Sequence, residues 1–283
     1  MIYNRKTKTM ENDFQYGGKF LKFLYNTVIG RVLLKVIISP VFSKIGGKFN
    51  DLKISTFKIN SFIKKNNIDM NEYEEKDYKS FNEFFYRKKK ALSFDSDKKA
   101  FISPADSKLI VYEISDDLKI KIKQSVYTLF ELLDDTTNLK DFKNGNCLVF
   151  RLSVDNYHRY CFIDDGTIER SKNIKGKLHT VCSISEKHKI YSQNSRVCNY
   201  LNTDNFGKII YIEVGALLVG KIKNRKIESF SKGEEKGYFE LGGSTIVILT
   251  TDKVKIDNDI IAYTNKGIET KVEYGERIGE LKK

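Results

Sequence analysis

The sequence predicts an α+β protein, in which an N-terminal helical, membrane-facing part over residues 1–95 precedes a β-rich domain over residues 96–283. Two observations predict the helical part. Residues 18–48 mix apolar side chains with lysine and arginine, and residues 52–90 place apolar residues at helical spacing. A third observation predicts the β-rich domain, because apolar runs of strand length alternate there with glycine-containing turns.

Length and composition fit one large folded domain, or a small domain attached to a larger one. The chain has 283 residues, and only two of them, Pro40 and Pro104, are proline. Because no Pro/Ser-rich linker is present, long disordered stretches are not expected. The cysteines form no C-x-x-C pair, which favours free thiols in a reducing cytoplasm and speaks against disulfides or a zinc site. They are Cys147, Cys161, Cys182 and Cys198.

The net charge points to an anionic partner. Lysine and arginine (50) outnumber aspartate and glutamate (37), which gives a formal net charge of +13. Residues 1–50 hold nine basic residues against two acidic ones, a balance of +7 and thus more than half of the total. Such an excess indicates either nucleic acid or a lipid surface as the partner.

The segment 18–48 is too short and too charged to span a bilayer, because Arg31 and Lys35 interrupt its apolar run. These two residues are four apart, so a helix would place them on one face. An amphipathic basic helix of this kind can lie in the membrane interface. Packing of the same helix on the core of the domain is an equally good interpretation.

Residues 52–90 are predicted to be helical. Ser80 and Glu83 have the spacing of a capping box, which predicts a helix that begins at Phe81. The aromatic residues of this helix are expected in the core. The basic run 88–90 is expected to be a solvated helix end.

The second half of the chain contains several predicted strands. Apolar runs predict them at residues 109–114, 147–152, 209–220 and 245–249. Thr128 and Glu131 predict a short capped helix that ends near Leu133. The remainder, residues 250–283, is predicted to form short strands with turns at Asn258, Gly267 and Gly275.

Two glycines interrupt the strand pattern in the stretch Gly242-Gly243-Ser244-Thr245. Such a pair usually marks a bulge or a close backbone approach. A chemical interpretation is also open. The hydroxyl of Ser244 can attack the carbonyl carbon of Gly243, because glycine tolerates the strained backbone that this attack requires. β-Elimination of the resulting ester would cut the chain, and hydrolysis would leave a pyruvoyl group, a ketone able to form a Schiff base and assist decarboxylation.

The stretch from Gly237 to Thr245 resembles the Gly-Ser-Thr processing site of the phosphatidylserine decarboxylases. Three other segments resemble the same family in the expected order: Phe-Phe-x-Arg at 84–87, Ser-Pro-Ala-Asp at 103–106 and Asp-Asn-Tyr-His-Arg at 155–159. Several ordered matches are more specific than any one of them. The resemblance extends over nearly the whole chain, and it implies a β-rich core with an N-terminal helical part.

The resemblance implies a set of site residues. Ser244 would become the pyruvoyl group after a cut that follows Gly243, and Asp106 would orient the base of an Asp-His-Ser relay. The usual base, the second histidine of the family motif, is Cys161 here. His158 matches the first histidine, which the family uses in its active site. Because a thiol of ordinary pKa is only a few per cent ionised at pH 7, the base stays open between Cys161 and His158.

Three other polar residues carry weaker signals. Arg196 lies in a segment similar to the family's Asn-x-Arg and could meet a phosphate or carboxylate, or form a structural salt bridge. His179 and His188 match no family position, and we assign them no role.

The resemblance implies a pyruvoyl-dependent decarboxylase that converts phosphatidylserine to phosphatidylethanolamine at the cytoplasmic face of the cell membrane. Its two products, residues 1–243 and 244–283, would stay together as a heterodimer. Three alternatives remain: an unprocessed, degenerate member that binds anionic lipid without catalysis, a pyruvoyl decarboxylase for another amino-acid head group, and a nucleic-acid binder. The last is favoured only by net charge and has no recognisable motif.

Overall fold

A computed structural model describes residues 1–13, 18–39, 47–122, 125–135, 139–179, 189–216, 222–241 and 244–282. Its strands are β1 (Ile2–Asn4), β2 (Thr9–Glu11), β3 (Ala100–Ile102), β4 (Ser107–Glu113), β5 (Lys119–Ile122), β6 (Ser125–Thr128), β7 (Asn146–Leu152), β8 (Arg159–Cys161), β9 (Gly166–Ile174), β10 (Arg196–Thr203), β11 (Gly207–Val214), β12 (Ile222–Asn224), β13 (Ser229–Phe230), β14 (Glu235–Phe239), β15 (Ser244–Thr250), β16 (Val254–Ile256), β17 (Glu269–Val272) and β18 (Arg277–Leu281).

The α-helices are α1 (Gly18–Asn26), α2 (Val28–Ile37), α3 (Ile59–Asn66), α4 (Phe81–Phe85), α5 (Leu129–Leu133), α6 (Ile190–Gln193) and α7 (Asn258–Asn265). Residues 47–51 are also helical. Short 3-10 helices cover Lys53–Lys58, Met70–Glu72 and Leu139–Phe142. The α+β class is therefore confirmed, with most strands in the second part of the chain.

A ten-stranded sheet forms the centre of the molecule, in the order β13-β9-β10-β11-β15-β7-β4-β17-β1-β2. Neighbouring strands within this sheet are antiparallel, apart from the parallel pair of β1 and β17. Strands β15 and β17 lie inside the sheet, between β11 and β7 and between β4 and β1. The last part of the chain is thus interleaved with earlier strands.

Both faces of the central strands of this sheet are buried, which explains their unbroken apolar runs. Along β7, Leu148, Phe150 and Leu152 face one core cluster, whereas Cys147 and Val149 face a second. A strand covered on both faces has no need to alternate apolar with polar residues. The predicted strand at residues 147–152 is confirmed, as are those at 109–114 and 245–249. Of the stretch predicted at 209–220, residues 209–214 lie in β11, and 217–220 lie outside the described residues.

Two small antiparallel sheets pack on the same core cluster as Leu148, Phe150 and Leu152. One has the order β12-β14-β8 and the other β16-β18-β3. The first of them carries the histidine and cysteine of the Asp-Asn-Tyr-His-Arg region, because His158 directly precedes β8 and Cys161 ends it. The chain then leaves this sheet at the end of β14 and enters the ten-stranded sheet at Ser244.

Helices α1 and α2 form a helical hairpin with its own small core, made of Leu21, Leu24, Tyr25, Leu34, Ile37 and Ile38. Thr27 caps α2, since its hydroxyl oxygen accepts a hydrogen bond from the Gly30 amide at 2.9 Å. At Gly30 the two helices approach so closely that a Cβ atom would lie 2.0 Å from the carbonyl oxygen of Phe23. Among the described residues, no helix is long and apolar enough to cross a membrane.

Three predictions need correction. Residues 52–90 are not one helical region, because α3 ends in a left-handed Asn67 (φ 51°) and the polar stretch 74–80 is not helical. The turn predicted at Asn258 is instead the start of α7, which buries Ile260 against the core. The N-terminal part is not purely helical, since β1 and β2 extend the central sheet. The domain boundary at residue 95 stays a prediction.

The predicted helix starts are confirmed. Thr128 and Glu131 form a complete capping box on α5. At α4 the Ser80 hydroxyl oxygen accepts from the Glu83 amide at 3.1 Å, but the Glu83 carboxylate accepts from the Lys79 amide rather than from that of Ser80. The turns predicted at Gly267 and Gly275 are present, with φ of 70° and 75°.

Candidate active site

The predicted cleavage point lies where the chain passes from one sheet to another. Strand β14 ends at Phe239, and β15 begins at Ser244, which pairs with Leu152 of β7. Gly242, Gly243 and the side chain of Ser244 lie outside the described residues. The backbone on both sides of the glycine pair is held in place by strand pairing or by hydrogen bonds.

His158 lies next to this passage. Its carbonyl oxygen accepts a hydrogen bond from the Phe239 amide at 3.0 Å, which fixes it at the end of β14. It also follows the turn at the end of β7, where the Asn156 amide donates to the carbonyl of Ser153 at 3.0 Å. Leu152, which pairs with Ser244, lies just before this turn. His158 is therefore hydrogen-bonded to the end of β14 and follows, within a few residues, the strand that pairs with the start of β15.

The ring of His158 is buried against an aromatic side chain. It stacks on Phe85, with ring centroids 4.1 Å apart, and is 0% exposed. Within the described part of the chain, neither ring nitrogen makes a hydrogen bond. Burial lowers the pKa of His158 to about 3, the charge of Arg87 acts in the same direction, and the nearby backbone of Ser153 and Val154 opposes the shift. At pH 7 His158 is a neutral imidazole with a free lone pair.

Cys161 has a different environment. Its amide donates to the carbonyl of Pro104 at 3.0 Å, and its sulfur lies 3.5 Å from the same oxygen. Burial raises the pKa of Cys161 to about 12, so its thiol is protonated at pH 7. A protonated thiol that faces a carbonyl oxygen is a hydrogen-bond donor, not a proton acceptor.

Both carboxylate oxygens of Asp106 accept hydrogen bonds. Oδ1 accepts from the Tyr274 amide at 2.7 Å, and Oδ2 accepts from Lys89 Nζ at 2.9 Å. Burial alone would lower the pKa of Lys89, but the charge and the hydrogen bond of Asp106, together with Tyr73 and Glu72, raise it overall. The hydrogen bonds recorded for Asp106 thus go to Lys89 and Tyr274, whereas a relay would need one to Cys161 or His158. Because residue 161 is not histidine, it offers no ring N–H to this carboxylate.

Comparison with known proteins decides the family. The family model described as phosphatidylserine decarboxylase matches residues 81–280. The chain belongs to the phosphatidylserine decarboxylase family. It is 57% identical over 284 residues to phosphatidylserine decarboxylase proenzyme 2 of Clostridium acetobutylicum, covering 99% of this chain and 98% of the relative. It is 42% identical to the phosphatidylserine decarboxylase proenzymes of Ruminiclostridium cellulolyticum (98% of this chain, 96% of the relative) and Clostridium tetani (99% and 97%).

Other predicted polar residues of this phosphatidylserine decarboxylase family member have structural partners. Arg196 is buried and donates to the carbonyls of Leu132 (2.7 Å) and Glu131 (3.0 Å), the last turn of α5. It therefore caps a helix, and among the described residues it forms no salt bridge with an acidic side chain. His179 is buried and contacts Tyr25 of α1 at 3.2 Å, whereas His188 lies outside the described residues.

The cysteines of this family member are consistent with free thiols. Cys147, Cys161 and Cys198 are buried and form no disulfide, and Cys182 lies outside the described residues. Burial also raises the pKa of Cys198, to about 12.

Several residues around the site carry no signal in the local sequence. The run 88–90 was expected to be solvated, but the Lys89 side chain is only 19% exposed and pairs with Asp106. Asn82 and Tyr274 were not singled out, because their partners lie far away in the sequence. The side-chain oxygen Oδ1 of Asn82 accepts a hydrogen bond from the backbone amide of Leu241, 159 residues later. No local pattern signals such a pair. The aromatic residues of α4 were expected in the core and are buried there.

Proposed function

We propose that this chain is a proenzyme that cuts itself between Gly243 and Ser244 and then decarboxylates phosphatidylserine to phosphatidylethanolamine with a pyruvoyl group. One observation carries the proposal beyond family membership. Directly before the passage between β14 and β15, the end of β14 is hydrogen-bonded to His158, a buried, neutral histidine whose two ring nitrogens make no hydrogen bond to the described residues. Buried polar groups are rarely left in this way without a functional reason.

The self-cleavage has a balanced course. The Ser244 Oγ–H loses its proton while Oγ bonds to the Gly243 carbonyl carbon. The Gly243–Ser244 C–N bond then breaks, and the new amine takes up a proton. Loss of the Ser244 Cα proton expels Gly243 as a carboxylate, which leaves a dehydroalanine at the start of the smaller chain. Its imine tautomer is hydrolysed by water to pyruvoyl and ammonia.

His158 is the residue we assign as base. Its imidazole is neutral at pH 7 and can accept a proton without first losing one, although its lowered pKa makes it a weaker base than an exposed histidine, whereas the Cys161 thiol must first ionise against a raised pKa. The same ring can later return a proton to the substrate carbon after carbon dioxide leaves. The pyruvoyl group itself supplies a ketone that captures the substrate amine and withdraws electrons during decarboxylation.

The two chains formed by self-cleavage would remain associated in one complex. The smaller chain, residues 244–283, contributes β15 to β18 and α7. Strand β15 is paired on both sides with strands of the larger chain, and β17 likewise. These pairings support a heterodimer whose partner is the chain's own smaller fragment.

The decisive experiment is the intact mass of freshly purified protein. The wild type should give two chains, and the smaller one should carry a ketone that reacts with a hydrazide. Ser244→Ala should give one chain and no phosphatidylethanolamine from phosphatidylserine vesicles. Ser229→Ala, which removes an exposed strand serine, is the matched control and should cleave normally. A single wild-type chain, or equal cleavage in Ser244→Ala, would refute the proposal.

One rival has a specific observation in its favour. Cys161 occupies the position of the usual relay histidine and is protonated, as expected if the chain had lost processing. This unprocessed, lipid-binding alternative predicts one intact polypeptide in the same measurement. A decarboxylase for another amino-acid head group predicts two chains but no product from phosphatidylserine.

We further propose that the chain binds the cytoplasmic face of the membrane peripherally through α1 and α2. The outer face of the hairpin exposes seven large apolar residues and four basic ones, and the combination suits an anionic bilayer. The apolar residues are Phe20, Phe23, Val28, Ile29, Val32, Leu33 and Val36, and the basic ones are Lys19, Lys22, Arg31 and Lys35. Each basic residue near an anionic leaflet contributes roughly 1 kcal/mol.

Vesicle flotation tests the membrane proposal. The double variant Ile29→Asp and Val32→Asp changes residues that are 75% and 63% exposed, so folding should be retained. Its binding to phosphatidylserine-containing vesicles should fall about tenfold or more. Phe130→Asp alters an apolar residue of α5 that is 53% exposed and serves as the control. Equal binding by all three proteins would show that the hairpin is not the contact surface.

A further inference from the structure

We propose that Asn82, oriented by Asp51, is a positioning residue for self-cleavage, because it holds the backbone immediately before the glycine pair. The inference rests on the proposed self-cleavage and concerns what makes that reaction fast in this chain. It requires no change in the identity of the nucleophile or the base.

Asn82 is a buried bridge between distant segments. It lies in the first turn of α4 and is 1% exposed. Its side-chain carbonyl oxygen accepts from the amide of Leu241 at 3.1 Å, and its Nδ2 donates to Asp51 Oδ1 at 2.7 Å. Leu241 is the last described residue before Gly242, so this hydrogen bond anchors the chain directly before the glycine pair.

Asp51 determines which way the Asn82 amide points. An ionised carboxylate can only accept hydrogen bonds, whereas an asparagine side chain has one donating and one accepting end. The NH₂ group of Asn82 must therefore face Asp51, and the oxygen must face the Leu241 amide. The opposite orientation would place the amide oxygen against the carboxylate and its NH₂ group against an N–H donor.

The other end of the glycine pair is anchored as well. Ser244 is paired with Leu152 in β7, and the next residue, Thr245, is paired with Val214 in β11. Two glycines on their own have wide conformational freedom. Because Leu241 and Ser244 are both anchored, the residues that flank the reacting carbonyl are held in place, and such positioning of reacting groups speeds a reaction.

The helix that carries Asn82 is itself fixed. The amide of Phe81 donates to the hydroxyl oxygen of Ser55 at 2.9 Å, and Ser55 is fully buried. The neighbouring Phe85 is the residue on which His158 stacks. Helix α4 therefore contacts both the proposed base, His158, and the backbone directly before the cleavage point, at Leu241.

Loss of the Asn82 side chain should slow cleavage. Misplacement of a reacting group by about 1 Å can cost on the order of 100-fold in rate. We expect Asn82→Ala to lengthen the half-time of cleavage about 10- to 100-fold. Asn82→Asp should be slowed too, because its carboxylate would face that of Asp51.

A swap of the two side chains provides the sharpest test. In the double variant Asp51→Asn and Asn82→Asp, the amide at 51 can donate to the carboxylate at 82, and that carboxylate can still accept from Leu241. Cleavage should recover to within several-fold of the wild-type rate. A general loss of packing at position 82 predicts no such recovery.

The measurement is the half-time of cleavage by intact mass, with and without hydroxylamine, which releases the chains from the ester at Ser244. Thermal midpoints are compared in Ser244→Ala backgrounds, so that all proteins are uncut. Asn146→Ala is the matched control, since its Nδ2 donates to the Val254 carbonyl at 3.0 Å at the opposite end of β7. It should cleave normally.

Four outcomes are decisive. Slow cleavage and less hydroxylamine-released chain in Asn82→Asp, with recovery in the swap, support the inference. Wild-type rates in both Asn82 variants overturn it, and so does slow cleavage that the swap fails to restore. A wild type that never cleaves, even with hydroxylamine, overturns the proposed function itself. If Asn82→Ala does not fold, Asn82→Asp and the swap decide alone.

Discussion

The ring of His158 lies nearly parallel to that of Phe85, with ring planes 26° apart, and neither ring nitrogen makes a hydrogen bond to the described residues. The aromatic contact, together with complete burial, favours the uncharged ring. Protonation would place an unpaired cation in the core near Arg87, which already carries a positive charge. This pair of residues therefore links the stability of the precursor to pH.

The first prediction concerns acid stability. The pKa of His158 is about 3 in the folded state and about 6.5 when the chain unfolds, so only the unfolded chain binds this proton between those values. The free energy of unfolding should therefore fall as pH drops below about 6.5, by about 2 kcal/mol at pH 5 from this residue. In a Ser244→Ala background, His158→Gln should lose that part of the pH dependence in urea unfolding. Identical pH profiles would contradict a buried neutral histidine.

The second prediction separates the two candidate bases. His158→Ala should slow cleavage on the order of 100-fold or more, since general-base catalysis usually contributes that much. Cys161→Ala should cleave within about threefold of the wild type, because the thiol is protonated at pH 7 and donates towards Pro104. Intact mass against time gives both rates. The reverse ranking would identify Cys161 as the base.

The third prediction concerns Asp106 and Lys89, whose side chains are 16% and 19% exposed. Asp106→Asn would point an NH₂ group or an uncharged oxygen at the Lys89 ammonium and leave it unpaired. The free energy of unfolding should fall by about 2 kcal/mol. Adding Lys89→Met should recover about half of this loss. Urea unfolding of Ser244→Ala forms measures both, and equal losses in single and double variants would show that the pair is not coupled.

The fourth prediction concerns a charged pair between two sheets. Lys236 of β14 and Glu213 of β11 form a buried ion pair, and Asn199 Nδ2 also donates to Glu213, at 2.8 Å. Burial lowers the pKa of Lys236, although Glu213 opposes the shift. Glu213→Gln should cost about 3 kcal/mol or more, because it leaves a buried ammonium unpaired. Glu213→Gln combined with Lys236→Met should be clearly more stable than the single variant in urea unfolding. A double variant as unstable as the single one would be the contrary result.

Much of the fold could be predicted from local sequence. Strand β7 was identified from its apolar run, and α5 from the spacing of Thr128 and Glu131, because burial and capping leave a local pattern. The start of α7 at Asn258 was missed. Asparagine suits turns and helix starts alike, and the buried face of this short helix is set mainly by Ile260.

The site was predictable only in part. Ser244 and His158 belong to contiguous motifs, so a single segment identifies each of them. Asn82 and Lys89 act through partners that the fold brings together, and nothing in their own neighbourhoods shows this. Lys89 sits in a run of three lysines whose other members are exposed. Only the position of Asp106 distinguishes it from them.

The interleaving of β15 between β11 and β7 has a consequence for renaturation. An uncut precursor refolds as a single molecule, at a rate independent of concentration. After the cut, denaturation would release two polypeptides, and recovery would become a bimolecular event that dilution slows. The cleaved protein would then stay folded under native conditions but would refold poorly after denaturation, because its fold formed while the two chains were still one polypeptide.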